Sequence, residues 1–409
     1  MSLAHEQKLE DEYVMHTFGR KPVELVSGHG MTVVDDEGKT YLDFIAGIGA
    51  CSLGHCHPAV TGAVAKQAET LIHVSNYYYI EHRGEVAKLL SDMLNDGADA
   101  AEPWQTFFAN SGAEANECAI KLARVYARRK AEAEGRDPET APRVIVTLKK
   151  SFHGRTLATL AATAQPSKQE LFQPLPDGFV ATPQNDVATL EALFADQGDS
   201  ICAVMLEPIQ GESGVHPCTK EFMETARRLT AERGALLVCD EVQCGIYRTG
   251  KPFGFQNFGV TPDIVSIAKG VASGFPCGAC AARAEVAAAF NPGDHGSTFG
   301  GSCLAVAAAE ATLREIQAEN LADNAVEVGA YLRESLEALP GVESVRGIGL
   351  MLAADLKEGG KPAPDVVLEG LGAGLLLNAT GAHTLRFLPP LICSKADVDA
   401  LIEKLSGLL

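Results

Sequence analysis

Four short apolar runs constrain this chain more than any other feature. They are Val144-Ile145-Val146-Thr147-Leu148, Ile201-Cys202-Ala203-Val204-Met205-Leu206, Ala235-Leu236-Leu237-Val238-Cys239 and Ile264-Val265-Ser266-Ile267. None alternates apolar with polar residues, so each reads as a strand buried on both faces. A strand of that kind needs helices above and below it. Phe222 to Arg233 supplies one, with Phe222, Ala226 and Leu229 at helical spacing. Strands and helices in alternation make an α/β fold around a mainly parallel sheet.

The residues just beyond the runs carry the chemistry. Leu206 is followed by Glu207, Cys239 by Asp240-Glu241, and Ile267 by Ala268-Lys269. Any one of these could be an ordinary wet loop residue. Three in succession place polar groups where open α/β sheets build their sites, at the carboxyl ends of the strands. Upstream, Thr106-Phe107-Phe108-Ala109 reads as a further strand, followed by Asn110-Ser111-Gly112 and a helix from Ala113. Ser111 is a natural N-cap, and Glu114 three residues later completes a capping-box pattern. The free N–H groups and positive end of such a helix favour a phosphate. No Walker loop and no Gly-x-Gly-x-x-Gly stands between a strand and a helix, so a nucleotide site is poorly supported.

The chain has 409 residues, a length that anticipates two or three domains. Its net charge of −19 opposes general binding to nucleic acid or to an anionic membrane. No apolar run reaches the roughly 18 residues of a membrane span. The segment Met1 to Glu12 is polar and acidic, unlike a secretory signal. Eleven scattered cysteines, an odd number, read as reduced thiols and a cytoplasmic location rather than a disulfide framework. His55-Cys56-His57 with Cys51 nearby brings a zinc-dependent hydrolase to mind. No second ligand pair stands at structural spacing, so no metal site is expected.

A lysine, a carboxylate and a phosphate cradle in one cleft are what pyridoxal 5'-phosphate requires. It takes a covalent lysine attachment, an acid against its pyridine nitrogen and an anion site. From about Gly19 onward the chain carries a specific series of motifs. They include Gly54-His55-Cys56-His57-Pro58, Asn110-Ser111-Gly112-Ala113-Glu114-Ala115-Asn116 and Ser151-Phe152-His153-Gly154-Arg155-Thr156. Glu207-Pro208-Ile209-Gln210-Gly211-Glu212, Asp240-Glu241-Val242-Gln243, Lys269, His295-Gly296-Ser297-Thr298-Phe299-Gly300-Gly301 and Arg386-Phe387-Leu388-Pro389-Pro390 come next, in that order. In this series the chain resembles the class III pyridoxal-phosphate-dependent aminotransferases.

The resemblance implies an α/β fold of PLP-dependent transferase fold type I. A large domain would hold a mixed, mainly parallel seven-stranded sheet, beside a smaller α+β domain. Residues 1–55 would join the small domain, 56–304 form the large one and 305–409 complete the small one. It also implies roles. Lys269 would carry the cofactor, and Asp240 would pair with the pyridine nitrogen. Gln243 would bond the ring 3-oxygen, Phe152 and Val242 would cover the two ring faces, and His153 would belong to the same shell. Ser111, Gly112 and Ala113 would hold the phosphate, with Thr298 reaching the phosphate of a neighbouring subunit in a homodimer with shared active sites. Arg155 would clamp a distal carboxylate, Arg386 an α-carboxylate, Glu212 would pair with Arg386 when the donor is an ω-amine, and Ser297 would line the substrate site. The implied reaction moves the terminal amine of N-acetylornithine to 2-oxoglutarate, giving N-acetylglutamate 5-semialdehyde and glutamate, as in arginine biosynthesis. Ornithine, succinylornithine, acetyl-lysine and 4-aminobutyrate remain alternative donors. Thr32, where ornithine enzymes carry tyrosine, lends ornithine less support. Ser302-Cys303 stands where the family usually has Asn-Pro, which leaves the shape of that loop open.

Overall fold

The computed structural model describes residues 2–98 and 101–409. Its centre is a seven-stranded sheet. In spatial order the strands are Trp104–Ala109, Gly278–Arg283, Ile264–Ile267, Leu236–Asp240, Ile201–Leu206, Val144–Leu148 and Phe179–Thr182. Only Gly278–Arg283 runs antiparallel to its neighbours.

The uniform apolar runs are explained by two separate cores. Ile145, Ala203, Met205, Leu236, Val238 and Ile264 pack on one face with Cys118, Ala119 and Leu122 of the helix Gly112–Ala133. Their chain neighbours Val146, Val204, Leu206, Leu237, Cys239 and Val265 pack on the other, with Phe222, Ala226 and Leu229 of the helix Lys220–Arg233. Successive strand residues point to opposite faces, and here both faces are covered. Burying apolar surface stabilises by about 25 cal/mol per Å², and these strands bury it on both faces.

Two four-stranded sheets and a two-stranded one, Ile209–Gln210 with His216–Pro217, accompany the large one. Leu25–His29, Thr32–Asp35 and Thr40–Asp43 pair in sequence, and Leu375–Leu376 adds itself parallel to Thr40–Asp43. The two ends of the chain thus share a sheet. Val342–Ile348, Met351–Leu356, Thr384–Phe387 and Asn378–Ala379 form the other four-stranded sheet. The helix Cys303–Ala318 follows the loop that carries Ser297 and Thr298. Ser302 caps it, its Oγ accepting the Ala305 N–H at 3.4 Å. Asparagine and serine are interchangeable N-caps and proline is merely favoured at the first helical position. Ser302-Cys303 therefore preserves the turn. No helix among the described residues is long and apolar enough to cross a membrane.

Candidate active site

The carboxyl ends of the parallel strands open into a cavity of about 400 Å³. Lining it are Ser111, Gly112, Ala113, Phe152, His153, Arg155, Asp240, Val242, Gln243 and Lys269. The polar residues at the strand ends therefore do converge.

The helix Gly112–Ala133 starts at one end of this cavity. Ser111 Oγ accepts the Glu114 N–H at 3.2 Å, as an N-cap should. The reciprocal half of the expected capping box is displaced by one residue. Glu114 Oε2 accepts from the Asn110 N–H and from Asn110 Nδ2, both at 2.8 Å, rather than from Ser111. The helix start still presents backbone N–H groups that no helical carbonyl satisfies. Gly112 is required for tightness: a Cβ there would stand 2.8 Å from Val242 Cγ1.

Asp240 is buried and held by three donors. Asn116 Nδ2 and His153 Nδ1 donate to its Oδ2 at 2.7 and 2.8 Å, and the Val242 N–H donates to Oδ1 at 3.0 Å. These three donors fix the orientation of the carboxylate. Burial works against a charged His153, but the Asp240 carboxylate beside it outweighs burial and raises the imidazole. His153 Nε2 and Asn116 Oδ1 are buried without a partner among the described residues. Asn116 stands in a motif of the sequence that suggests no role for it. Nothing marks an amide on the second helical turn as a carboxylate ligand until the fold brings Asp240 to it.

Lys269 follows the strand Ile264–Ile267 with φ of 47°, a left-handed conformation that costs a non-glycine residue about 1–3 kcal/mol. Its Nζ makes no hydrogen bond or ion pair among the described residues. Burial is the first influence on it and lowers its pKa, helped by Arg386 and opposed by Glu212 and Asp240. An amine poised to lose its proton is the form that acts as nucleophile and base.

Arg386 enters from the strand Thr384–Phe387 and is 2% exposed. Its Nη1 bonds Glu212 Oε1 at 2.6 Å, Gln243 Oε1 at 3.1 Å and the Gly211 carbonyl at 3.1 Å, while Nε bonds Asn378 Oδ1 at 3.0 Å. Burial pushes Glu212 up, but Arg386 outweighs it and keeps the carboxyl below its usual range. Neither Arg386 nor Glu212 lines the cavity itself; Arg155 does, with its guanidinium 5.6 Å from the Phe152 ring centre and no carboxylate partner among the described residues.

Ser297 and Thr298 do not join this cavity. They line a separate groove with His73, Asn76 and Tyr77. Ser297 touches the cleft only through Asn110, whose Nδ2 donates to its Oγ at 3.2 Å. The histidines of the His55-Cys56-His57 motif are engaged as well. His55 Nε2 bonds Asp43 at 2.8 Å, and His57 Nδ1 accepts the Ala59 N–H at 3.3 Å. His57 Nε2 stands 3.7 Å from Glu319 Oε1. Ligand atoms of His57, Glu315 and Glu319 lie within 4.8 Å of one another.

The family profile for aminotransferase class-III matches residues 15–409. The chain belongs to the class-III aminotransferases. It is 45% identical over 404 residues to the acetylornithine aminotransferase of Caldanaerobacter subterraneus subsp. tengcongensis, covering 98% of each chain. It is also 45% identical over 401 residues to that of Methanocaldococcus jannaschii, covering 97% of this chain and 96% of the relative. Among solved structures, the ornithine aminotransferase of Toxoplasma gondii ME49 superposes with a TM-score of 0.90 at 31% identity, covering 100% of this chain and 95% of that one. The acetylornithine aminotransferase of Elizabethkingia anophelis does so with a TM-score of 0.85 at 31% identity, covering 100% and 99%. The aminotransferase uses pyridoxal phosphate, and the cleft fits that group. It offers a lysine without a partner among the described residues, a carboxylate oriented by three donors and unsatisfied N–H groups at a helix start.

Proposed function

We propose that this aminotransferase moves the terminal amine of N-acetylornithine to 2-oxoglutarate, releasing N-acetylglutamate 5-semialdehyde and glutamate. The observation that carries the reading is the buried Arg386–Glu212 pair at 2.6 Å, joined to the cavity through Gln243, while Arg155 lines the cavity with no carboxylate partner among the described residues. With Arg386 neutralised, Arg155 is the cation left to bind an acid, so an ω-amine enters with its carboxylate outward. When Glu212 swings away, Arg386 takes the α-carboxylate of glutamate or 2-oxoglutarate, and Arg155 takes the other one. Arginine suits both tasks because its planar fork bonds carboxylates bidentately.

Pyridoxal phosphate supplies a carbonyl that takes up the amine and a ring that accepts electrons. The chain's own groups would do the rest. Ser111, Gly112 and Ala113 would hold the phosphate, Phe152 and Val242 the ring faces, and Gln243 the 3-oxygen. Asp240, oriented by Asn116 and His153, would hold a proton on the pyridine nitrogen. Lys269 Nζ would take the proton from the amine-bearing carbon of the substrate and later return one, as a general base and acid.

The same reading includes a homodimer. Tyr77, which lines the groove that holds Thr298, and Tyr79 two residues on are both fully exposed, which supports a protein contact there. There Thr298 would serve the partner's phosphate and Ser297 the substrate. The shared sheet formed by Thr40–Asp43 and Leu375–Leu376 supports a small domain built from residues 1–55 and 305–409, around a large domain of 56–304. All eleven cysteines are free, in keeping with a cytoplasmic protein.

The test is glutamate formation from 2-oxoglutarate with a panel of donors. N-acetylornithine should give the highest kcat/KM. A higher value for ornithine or 4-aminobutyrate would overturn the substrate assignment.

A further inference from the structure

Arg155 sits in a turn, and a carboxylate that none of the roles above uses anchors that turn. Arg155 precedes Thr156, the residue that opens the helix Leu157–Ala162. Helix starts are commonly capped by the side chain of the opening residue. Thr156 gives this helix no such bond. Glu117, on the second turn of the helix Gly112–Ala133, does so from outside. Its Oε1 accepts the Thr156 hydroxyl at 2.5 Å and the Thr159 N–H at 3.4 Å. Thr159 is the third residue of the short helix, a position whose N–H a cap normally satisfies. A carboxylate there also meets the positive end of the helix.

The other side of Arg155 is fixed by packing. Gly154 has φ of 141°, and a Cβ on it would fall 2.5 Å from Thr159 Oγ1 and 2.9 Å from Ala113 Cβ. Its carbonyl accepts from Thr163 Oγ1 at 3.4 Å. The residues on both sides of Arg155 are therefore tied to one helix. Gly154 packs on Ala113 at its start, and Thr156 bonds Glu117 one turn further along. That same helix start is the proposed phosphate cradle. Arg155 itself has no carboxylate partner among the described residues, so Glu117 reaches it through the backbone and not as a counter-ion.

We propose that Glu117 is a positioning residue: by anchoring Thr156 and Thr159 it fixes the turn that carries Arg155, and with it the place at which the distal carboxylate of a substrate is clamped. This rests on the clamp role that the proposed function gives Arg155. Both bonds end on a single oxygen of Glu117. Glu117→Gln keeps an acceptor oxygen there and should preserve the anchor, whereas Glu117→Ala removes it. A misplaced clamp weakens the hold on the carboxylate and leaves the reacting groups untouched.

The experiment uses the holoenzyme and the unreactive dicarboxylate glutarate, whose two carboxylates suit Arg155 and Arg386. Calorimetry should show glutarate binding about threefold to tenfold more weakly to Glu117→Ala than to the parent, and within about twofold of the parent to Glu117→Gln. The KM for N-acetylornithine should rise by a similar factor in Glu117→Ala while kcat changes little. In an Arg155→Ala background Glu117→Ala should cause no further loss, because no clamp remains to be positioned. Unchanged glutarate affinity in a folded Glu117→Ala enzyme would overturn the proposal. So would an equal loss in the Arg155→Ala background, or a Glu117→Gln enzyme as weak as Glu117→Ala. If Glu117→Ala fails to fold, Thr156→Val removes the hydroxyl at the other end of the bond. It should weaken glutarate in the same direction, and no change would again overturn the proposal. Arg155→Ala alone separates this role from the functional reading. Glutarate unmoved there removes the distal clamp and the functional reading with it. Glutarate weakened there but unmoved in Glu117→Ala overturns the role of Glu117 alone.

Discussion

Replacing Asp240 by asparagine is the sharpest perturbation of the cleft. The side chain keeps its shape and loses its charge. An asparagine must place its NH2 group either at the Oδ2 position, facing Asn116 Nδ2 and His153 Nδ1, or at the Oδ1 position, facing the Val242 N–H. The second choice sacrifices one hydrogen bond instead of two and should be adopted. Its structural cost is about 1–3 kcal/mol, small enough for the fold to survive. The functional cost is larger. A proton on the pyridine nitrogen would lose its buried anionic partner, and breaking a buried ion pair costs about 3–5 kcal/mol. At about 1.36 kcal/mol per tenfold, that is roughly a 10²- to 10⁴-fold fall in kcat. Single-turnover stopped flow with glutamate measures the rate, and far-UV circular dichroism checks the fold. A folded Asp240→Asn enzyme within about threefold of the parent rate would refute the assignment of Asp240 to the ring nitrogen.

The same geometry has other consequences. Lys269→Ala should retain pyridoxal phosphate poorly through dialysis and lose transamination, and normal turnover in that variant would contradict the role of Lys269. Gly112→Ala should weaken cofactor affinity about tenfold, because its Cβ must displace Val242 from a 2.8 Å contact and overpacking costs about 1–3 kcal/mol. Equilibrium dialysis would read that shift. Burial pushes Glu241 up to about 7 although Gly254 and Phe255 donate to it, each at 2.7 Å. A carboxyl raised in the fold favours the protonated native state, so its contribution is complete below an ordinary pKa of about 4.5 and is lost as pH rises through 7. Between about pH 5 and 8 the parent should lose on the order of 3 kcal/mol more than Glu241→Gln in urea unfolding. Parallel curves for the two proteins would contradict that reading.

The sheet was legible because its strands are buried on both faces, and burial on both faces leaves uniform apolar runs in a sequence. Glu207, Asp240 and Lys269 were legible for the related reason that each stands just beyond such a run. The partnership of Arg386 with Glu212 was not readable from spacing, since the two lie 174 positions apart and come from different parts of the fold. It entered through family resemblance, and the geometry then gave its other acceptors. Asn116 and Asn378 carried no signal, because a polar amide on a helix turn or a short edge strand has no pattern of its own. The capping-box pattern places Glu114 at the right helix end but gives it the wrong partner. Its carboxylate reaches one residue further, to Asn110, where a backbone and a side-chain donor are both available. Ser297 and Thr298 stand in a separate groove with His73, Asn76 and Tyr77, a placement that no local pattern around them marks.

The proposed chemistry rests most heavily on Lys269 as the point of attachment for pyridoxal phosphate. Borohydride reduction of the holoenzyme followed by peptide mass mapping tests this directly. One pyridoxyl phosphate adduct per chain should be found, on the peptide that contains Lys269. An adduct on another lysine, or none at all in an enzyme that transaminates, would contradict it.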